Sequence, residues 1–151
     1  MKDKQENQSI VDYGVIVAAN LFNLIMVGIF YTRTRGVSHP MIVGYIWVVL
    51  ILFLVAVSIN NLRAKRDWWF SVFPLLFTVF LVMEVVLDYI LQHDFRNTGL
   101  LAPYLILYYL SSLGMIGYSF LADKKRGAVT LVTYFLSQIA AIYSYIQIGH
   151  G

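Results

Sequence analysis

Glu84 and Asp88 stand four residues apart inside Trp68–Gln92, WWFSVFPLLFTVFLVMEVVLDYILQ, a stretch long and apolar enough to cross a bilayer. At that spacing both carboxyls fall on one helical face. A carboxylate is costly in hydrocarbon, so acids inside membrane spans face protein or water and mark proton or ion handling. Counting 1.5 Å per residue from Trp68 puts Glu84 about 24 Å into the span and Asp88 about 30 Å. Glu84 is thus expected within the outer hydrocarbon and Asp88 at the outer interface. Repulsion within the pair and the low dielectric both penalise the charged form, so the deeper Glu84 is expected to carry a proton. A carboxyl that gains and loses a proton there suits a carrier or binder of a small solute or cation, with Asp88 as its outer access point. The plainer use is a protonated Glu84 that hydrogen-bonds Asn23, Ser111, Ser137 or Gln138 and ties helices together.

Other chemistry is weaker. His39, His93 and His150 fall on the same expected side as Asp88 and Asp94. Glu84, Asp88 and His93 could offer oxygen and imidazole ligands to a divalent cation, but their spacing matches no established motif, so no metal and no cofactor are expected. Arg96 is placed to pair with Asp88 or Asp94 and cap the third span. The chain has no cysteine, which excludes thiol nucleophiles, thiolate zinc sites and iron–sulfur clusters. No G-x-S-x-G elbow, H-E-x-x-H, P-loop or dinucleotide fingerprint occurs. Two acids stacked on one helix are also a poor frame for intramembrane hydrolysis. The expectation leans away from an enzyme.

The elements that must position these groups follow from composition. Of 151 residues, 60% are hydrophobic and only 13% charged, and mean hydropathy is +0.72. A soluble domain has about a quarter of its residues charged, so this chain lacks the polar residues to cover a water-facing surface. The reading is an all-α integral membrane bundle of five transmembrane helices, a single polytopic domain over 1–151. Spans are expected at about 13–32, 41–60, 68–92, 99–121 and 127–148, each near the roughly 20 residues that cross a bilayer core. The breaks TRTRGVSHP, NLRAKRD, HDFRNT and ADKKRG carry the charges, and short connections predict antiparallel hairpins. Residues 1–12 read as a polar leader without signal-peptide character.

Lys and Arg divide unevenly. Lys2, Lys4, Arg63, Lys65, Arg66, Lys124, Lys125 and Arg126 fall on one side, while Arg33, Arg35 and Arg96 fall on the other, which accounts for all 11. The positive-inside bias then places the N-terminus in the cytoplasm and the C-terminus outside, in a multi-pass protein of the cell membrane. The basic triplets are expected to attract anionic lipid and are too small a surface for nucleic acid.

Helical bookkeeping at about 100° per residue places Phe70, Phe73, Phe77, Phe80, Leu81, Asp88 and Leu91 beside Glu84, facing the bundle. Val72, Leu75, Val79, Val82 and Val86 form an aliphatic back for lipid. The fourth span carries a stripe of Tyr104, Tyr108, Ser111, Met115, Tyr118 and Ala122. The fifth carries Thr130, Tyr134, Ser137, Ala141 and Ser144, with Gln138 beside them; such residues let helices approach and hydrogen-bond. The expected site is Glu84 and Asp88 with Asn23, Tyr108, Ser111, Ser137 and Gln138. The second span, from Ile46 to Val57, has only apolar and aromatic side chains and reads as the peripheral helix, bathed in lipid or meeting a second copy or a membrane partner. Tyr13, Tyr31, Tyr45, Trp68, Trp69, Tyr89 and Tyr145 read as an interfacial belt. The alternative function is an accessory or scaffold protein whose inward polar residues only hold the helices together. In size the chain is similar to the tryptophan-rich translocator class, but Trp47, Trp68 and Trp69 are its only tryptophans, and no family is identified.

Overall fold

The computed structural model describes residues 2–36, 41–92 and 98–148, with side chains from residue 8 onward. These residues form five helices: α1 (Lys2–Arg33), α2 (Met41–Arg63), α3 (Trp69–Glu84), α4 (Leu101–Ala122) and α5 (Lys124–Ile148), with no strand among them. A π-helical turn, Val85–Ile90, prolongs α3 without a break. All five helices are long and apolar enough to cross a membrane. His39, His93, Asp94, Arg96 and His150 lie outside the described residues.

Two boundaries differ from the sequence reading. The expected polar leader is helical from Lys2 onward, so Asp12 belongs to the body of α1 rather than to a tail. The expected loop before the fifth span shrinks to Asp123 alone, and α5 begins at Lys124. Asp123 is extended (φ −158, ψ 118) and its Oδ1 accepts the backbone N–H of Lys125 and Arg126 at 2.8 and 3.1 Å. It therefore caps the first turn of α5 in the usual aspartate manner. So tight a corner drives α4 and α5 together at Gly127, where a Cβ would stand 2.8 Å from the Phe120 Cα and 2.7 Å from its Cγ. Only glycine fits there.

Helix order around the bundle is α2–α3–α4–α5–α1, with α1 also on α4 and only lightly against α2. The expected hairpin of the first two spans is thus the least packed of the neighbours, because α1 spends its polar face on α5. Phe22 of α1 still reaches the centre, with its ring 5.2 Å from Trp47, 4.9 Å from Phe77 and 5.8 Å from Phe80. Aromatic pairs at such distances add roughly 0.5–1.5 kcal/mol each beyond their buried area.

Both α2 and α5 leave most of their span facing outward, α5 more so. Only 28% of the α5 span is buried, against 39% for α2, whose Trp47 and Leu54 are fully enclosed. The buried residues of α5 are Gly127, Thr130, Tyr134, Ser137 and Ser144, with Thr133 and Gln138 half-buried beside them. Its small hydroxyl residues mark close approach, which needs no wide apolar face.

Helix α3 carries Pro74, which has no N–H to offer the Phe70 carbonyl one turn back. The Asn61 side-chain amide of α2 donates to that carbonyl at 2.7 Å. Asn61 sits at the end of α2, where Lys65 adopts a left-handed conformation (φ 52). The Arg66 N–H there closes on the Asn61 carbonyl at 3.2 Å, a helix-ending geometry that turns Arg66 back over Asn61.

The aliphatic back of α3 is exposed at Val72, Leu75, Val79 and Val82, while Phe77, Phe80, Leu81 and Glu84 are buried. Beyond Glu84 the α-period fails. Leu91, expected inward, is 61% exposed, and Val86, expected on the back, is half-buried. The π turn is the cause: its wider i→i+5 ring, closed by the Leu91 N–H on the Val86 carbonyl at 2.8 Å, changes the rotation per residue.

Candidate functional site

Glu84 occupies the last position of α3 and is buried to 3% exposure. Tyr104, near the start of α4, donates its hydroxyl hydrogen to Glu84 Oε2 at 2.6 Å. Phe80, one turn before Glu84, packs against Tyr104 and Tyr108 with ring centroids at 5.6 and 5.5 Å. The carboxyl therefore lies under aromatic rings, with a phenol as hydrogen-bond partner. The sequence puts Tyr104 on the α4 stripe, and the packing of α3 on α4 brings it to Glu84.

Asp88 lies inside the π turn and is half-buried. It stands four residues on from Glu84 along π-helical rather than α-helical chain. Tyr89, read as one of the interfacial belt, also packs onto α2. Its ring is pressed on Gly44 of α2, where a Cβ would come within 2.8 Å of it. Tyr89 also lies within electrostatic reach of Glu84, Asp88 and Arg33, so a cation from α1 stands at the same end of the bundle as the two acids.

The remaining expected residues divide into two groups. Gln138 Nε2 donates to the Tyr108 hydroxyl at 2.7 Å and lies 3.4 Å from Ser137 Oγ. Ser111 and Ser137 donate to backbone carbonyls of their own helices, Tyr108 and Tyr134, at 3.0 and 2.7 Å. This group is joined to the Glu84 group through Phe80. Asn23 is not part of it. Its amide donates to Thr133 Oγ1 at 3.0 Å, beside Asn20, whose Oδ1 accepts from Thr133 at 2.8 Å and whose Nδ2 donates to Thr130 Oγ1 at 3.0 Å. These residues make a polar seam between α1 and α5.

A second buried centre lies at the opposite end, where the start of α1, the turn at 64–68 and the α4–α5 corner meet. Arg66 forms a two-pronged pair with Asp12, Nη1 to Oδ1 at 2.6 Å and Nη2 to Oδ2 at 3.0 Å. Tyr118 donates to Asp12 Oδ1 at 2.7 Å, and Arg66 Nη1 also reaches Asn61 Oδ1 at 3.2 Å. The guanidinium lies 3.7 Å from the centre of the Phe70 ring. With side-chain exposures of 13% and 16%, this pair is more than a solvated orientation signal. Burial works against the charge of Arg66, but the hydrogen bond and the charge of Asp12 outweigh it and hold the guanidinium above its ordinary value. Sequence reasoning missed the pair because Asp12 read as leader and Arg66 as one charge in a basic run.

A polar cleft of about 280 Å³ opens beside this second centre, lined in part by Asp12, Arg66, Asp123 and Arg126. Among the described residues no three His, Cys, Asp or Glu side chains come together as a metal site. Comparison of the chain with protein-family models, with curated proteins and with solved structures finds no match in any of the three.

Proposed function

We propose that the chain is a multi-pass cell-membrane protein that binds or carries a small solute or cation, with Glu84 as its proton-responsive group. One observation supports this most. Glu84 is a buried carboxyl in an apolar span, hydrogen-bonded by Tyr104 at 2.6 Å and followed at once by a π-helical turn. Ionisable residues at membrane depth serve ion and proton pathways, and π turns recur where a helix is bent to a function. In this reading Asp88 and Arg33 flank the entrance, while Tyr108, Ser111, Ser137 and Gln138 line the deeper side. In this reading the N-terminus lies in the cytoplasm, which the uneven distribution of Lys and Arg supports, and the Glu84 end opens outward. A reporter fused after Gly151 and active only in the cytoplasm would reverse that orientation.

The second reading, an accessory membrane protein without a ligand, draws on the Asn20–Asn23–Thr130–Thr133 seam, whose polar groups pair with one another. Proteoliposomes loaded with a pH-sensitive dye separate the two. Alkali-metal and small organic ammonium ions are applied to wild type and to Glu84→Gln at equal reconstitution. Cation-driven proton release by wild type alone supports the carrier; equal traces from both leave the accessory reading.

A further inference from the structure

The cleft at the Asp12 end has an uneven supply of free hydrogen-bonding groups. Asp12 is committed, since both of its oxygens take Arg66 and one also takes Tyr118. Asp123 gives Oδ1 to two backbone N–H groups of α5. Arg126 is different. Its Nε lies 3.8 Å from Asp123 Oδ2, its guanidinium lies 4.6 Å from the centre of the Tyr13 ring, and its two terminal nitrogens have no partner among the described residues. Gln8 and Ser9 line the same cleft, with no side-chain hydrogen bond among the described residues. Lys124 and Lys125 add positive charge next to Arg126 in the chain, and Ile16 and Ala122 supply an apolar part of the wall.

A planar guanidinium lying over an aromatic ring, with both terminal nitrogens free, is the donor geometry that suits a tetrahedral oxyanion with two oxygens in line. The cleft volume of about 280 Å³ is right for a group the size of a lipid headgroup. We infer that this cleft binds a phosphate group through Arg126, with Gln8 and Ser9 completing the contacts, the phosphate belonging to a phospholipid headgroup or being free in solution. The inference does not depend on any role of Glu84, which lies at the other end of the bundle.

The test uses the full chain in detergent. Binding of phosphatidylglycerol, of diacylglycerol, which lacks the phosphate, and of inorganic phosphate is followed by native mass spectrometry and by the thermal midpoint. Wild type binds phosphatidylglycerol saturably and diacylglycerol not at all. Arg126→Ala weakens that binding roughly tenfold, the worth of a charge-assisted contact. Lys124→Gln with Lys125→Gln weakens it less. Ser9→Phe blocks the cleft by bulk and leaves the charges alone, so it keeps the inference testable if Arg126→Ala folds poorly. Displacement of the lipid by inorganic phosphate identifies a site open to soluble phosphate, and resistance to displacement identifies a headgroup site. Unchanged binding in both Arg126→Ala and Ser9→Phe overturns the inference. So does a loss in the Lys124/Lys125 variant as large as that in Arg126→Ala, which would mean diffuse charge rather than a built site.

Discussion

Tyr104 on α4 donates its hydroxyl hydrogen to Glu84 Oε2 on α3 at 2.6 Å, and both side chains are buried. The bond joins the only acid of α3 to the helix whose tyrosines and serines line the bundle. It ties the packing of α3 on α4 to one buried carboxyl.

Tyr104→Phe removes the donor and keeps the ring. The expected loss is about 1–3 kcal/mol, the cost of leaving a buried polar group short of a partner. The carboxyl stretching band of Glu84 in infrared difference spectra should also move, and Glu84→Gln should abolish that band. A thermal midpoint and a band both unmoved by Tyr104→Phe would show that the bond is idle.

Asn61 serves a carbonyl that Pro74 leaves open. Asn61→Leu is expected to cost about 1–3 kcal/mol by orphaning the Phe70 carbonyl in an apolar setting. Pro74→Ala restores a backbone N–H to the same carbonyl, so Asn61→Leu should cost less in that background. A double-mutant cycle on thermal unfolding measures the difference. Strict additivity would mean that the two residues are not coupled through Phe70.

Gly127 and Gly28 make a matched pair. A Cβ at Gly127 meets the Phe120 backbone at 2.8 Å, whereas one at Gly28 meets nothing within 4 Å. Backbone cannot swing aside as a side chain can, so Gly127→Ala is expected to destabilise by about 1–3 kcal/mol. Gly28→Ala should be neutral or stabilising, because alanine loses less conformational freedom in a helix. Equal thermal midpoints for the two variants would contradict the tight α4–α5 corner.

Asp123 supplies the pH dependence. The backbone N–H of Arg126 is the chief cause that holds its carboxyl below the ordinary value of 3.8; desolvation opposes it, and the Lys125 N–H and the charges of both residues assist. Its contribution is therefore fully present above pH 3.8 and is lost as pH falls through the lower folded value. Asparagine caps a helix without titrating. The thermal midpoint of wild type should fall relative to that of Asp123→Asn as the solution is acidified below that value. Parallel curves for the two proteins down to pH 3 would remove Asp123 as the titrating cap.

Much of the architecture was written in local pattern. Five apolar runs of about 20 residues separated by charged breaks specify five long helices, because a helix satisfies its own backbone groups and each run is long enough to cross hydrocarbon. The aliphatic back of α3 from Val72 to Val82 followed from the 3.6-residue period alone. So did the inward stripe of Tyr104, Tyr108, Ser111, Met115 and Tyr118.

What the sequence could not carry is which stripe meets which, and at what height. Glu84 meets Tyr104 rather than Asn23, because α1 turns its polar face to α5 and α4 presents its first tyrosine level with the end of α3. The π turn displaced Leu91 and Val86 from their expected faces, and no local pattern announced it. The Arg66–Asp12 pair spans 54 residues, and the Asn61 cap on the Phe70 carbonyl joins two helices across a turn. Each of these depends on helix order and axial offset, which are set by the packing of many side chains at once. The residue types were readable one helix at a time; their pairing was decided only when the five helices came together.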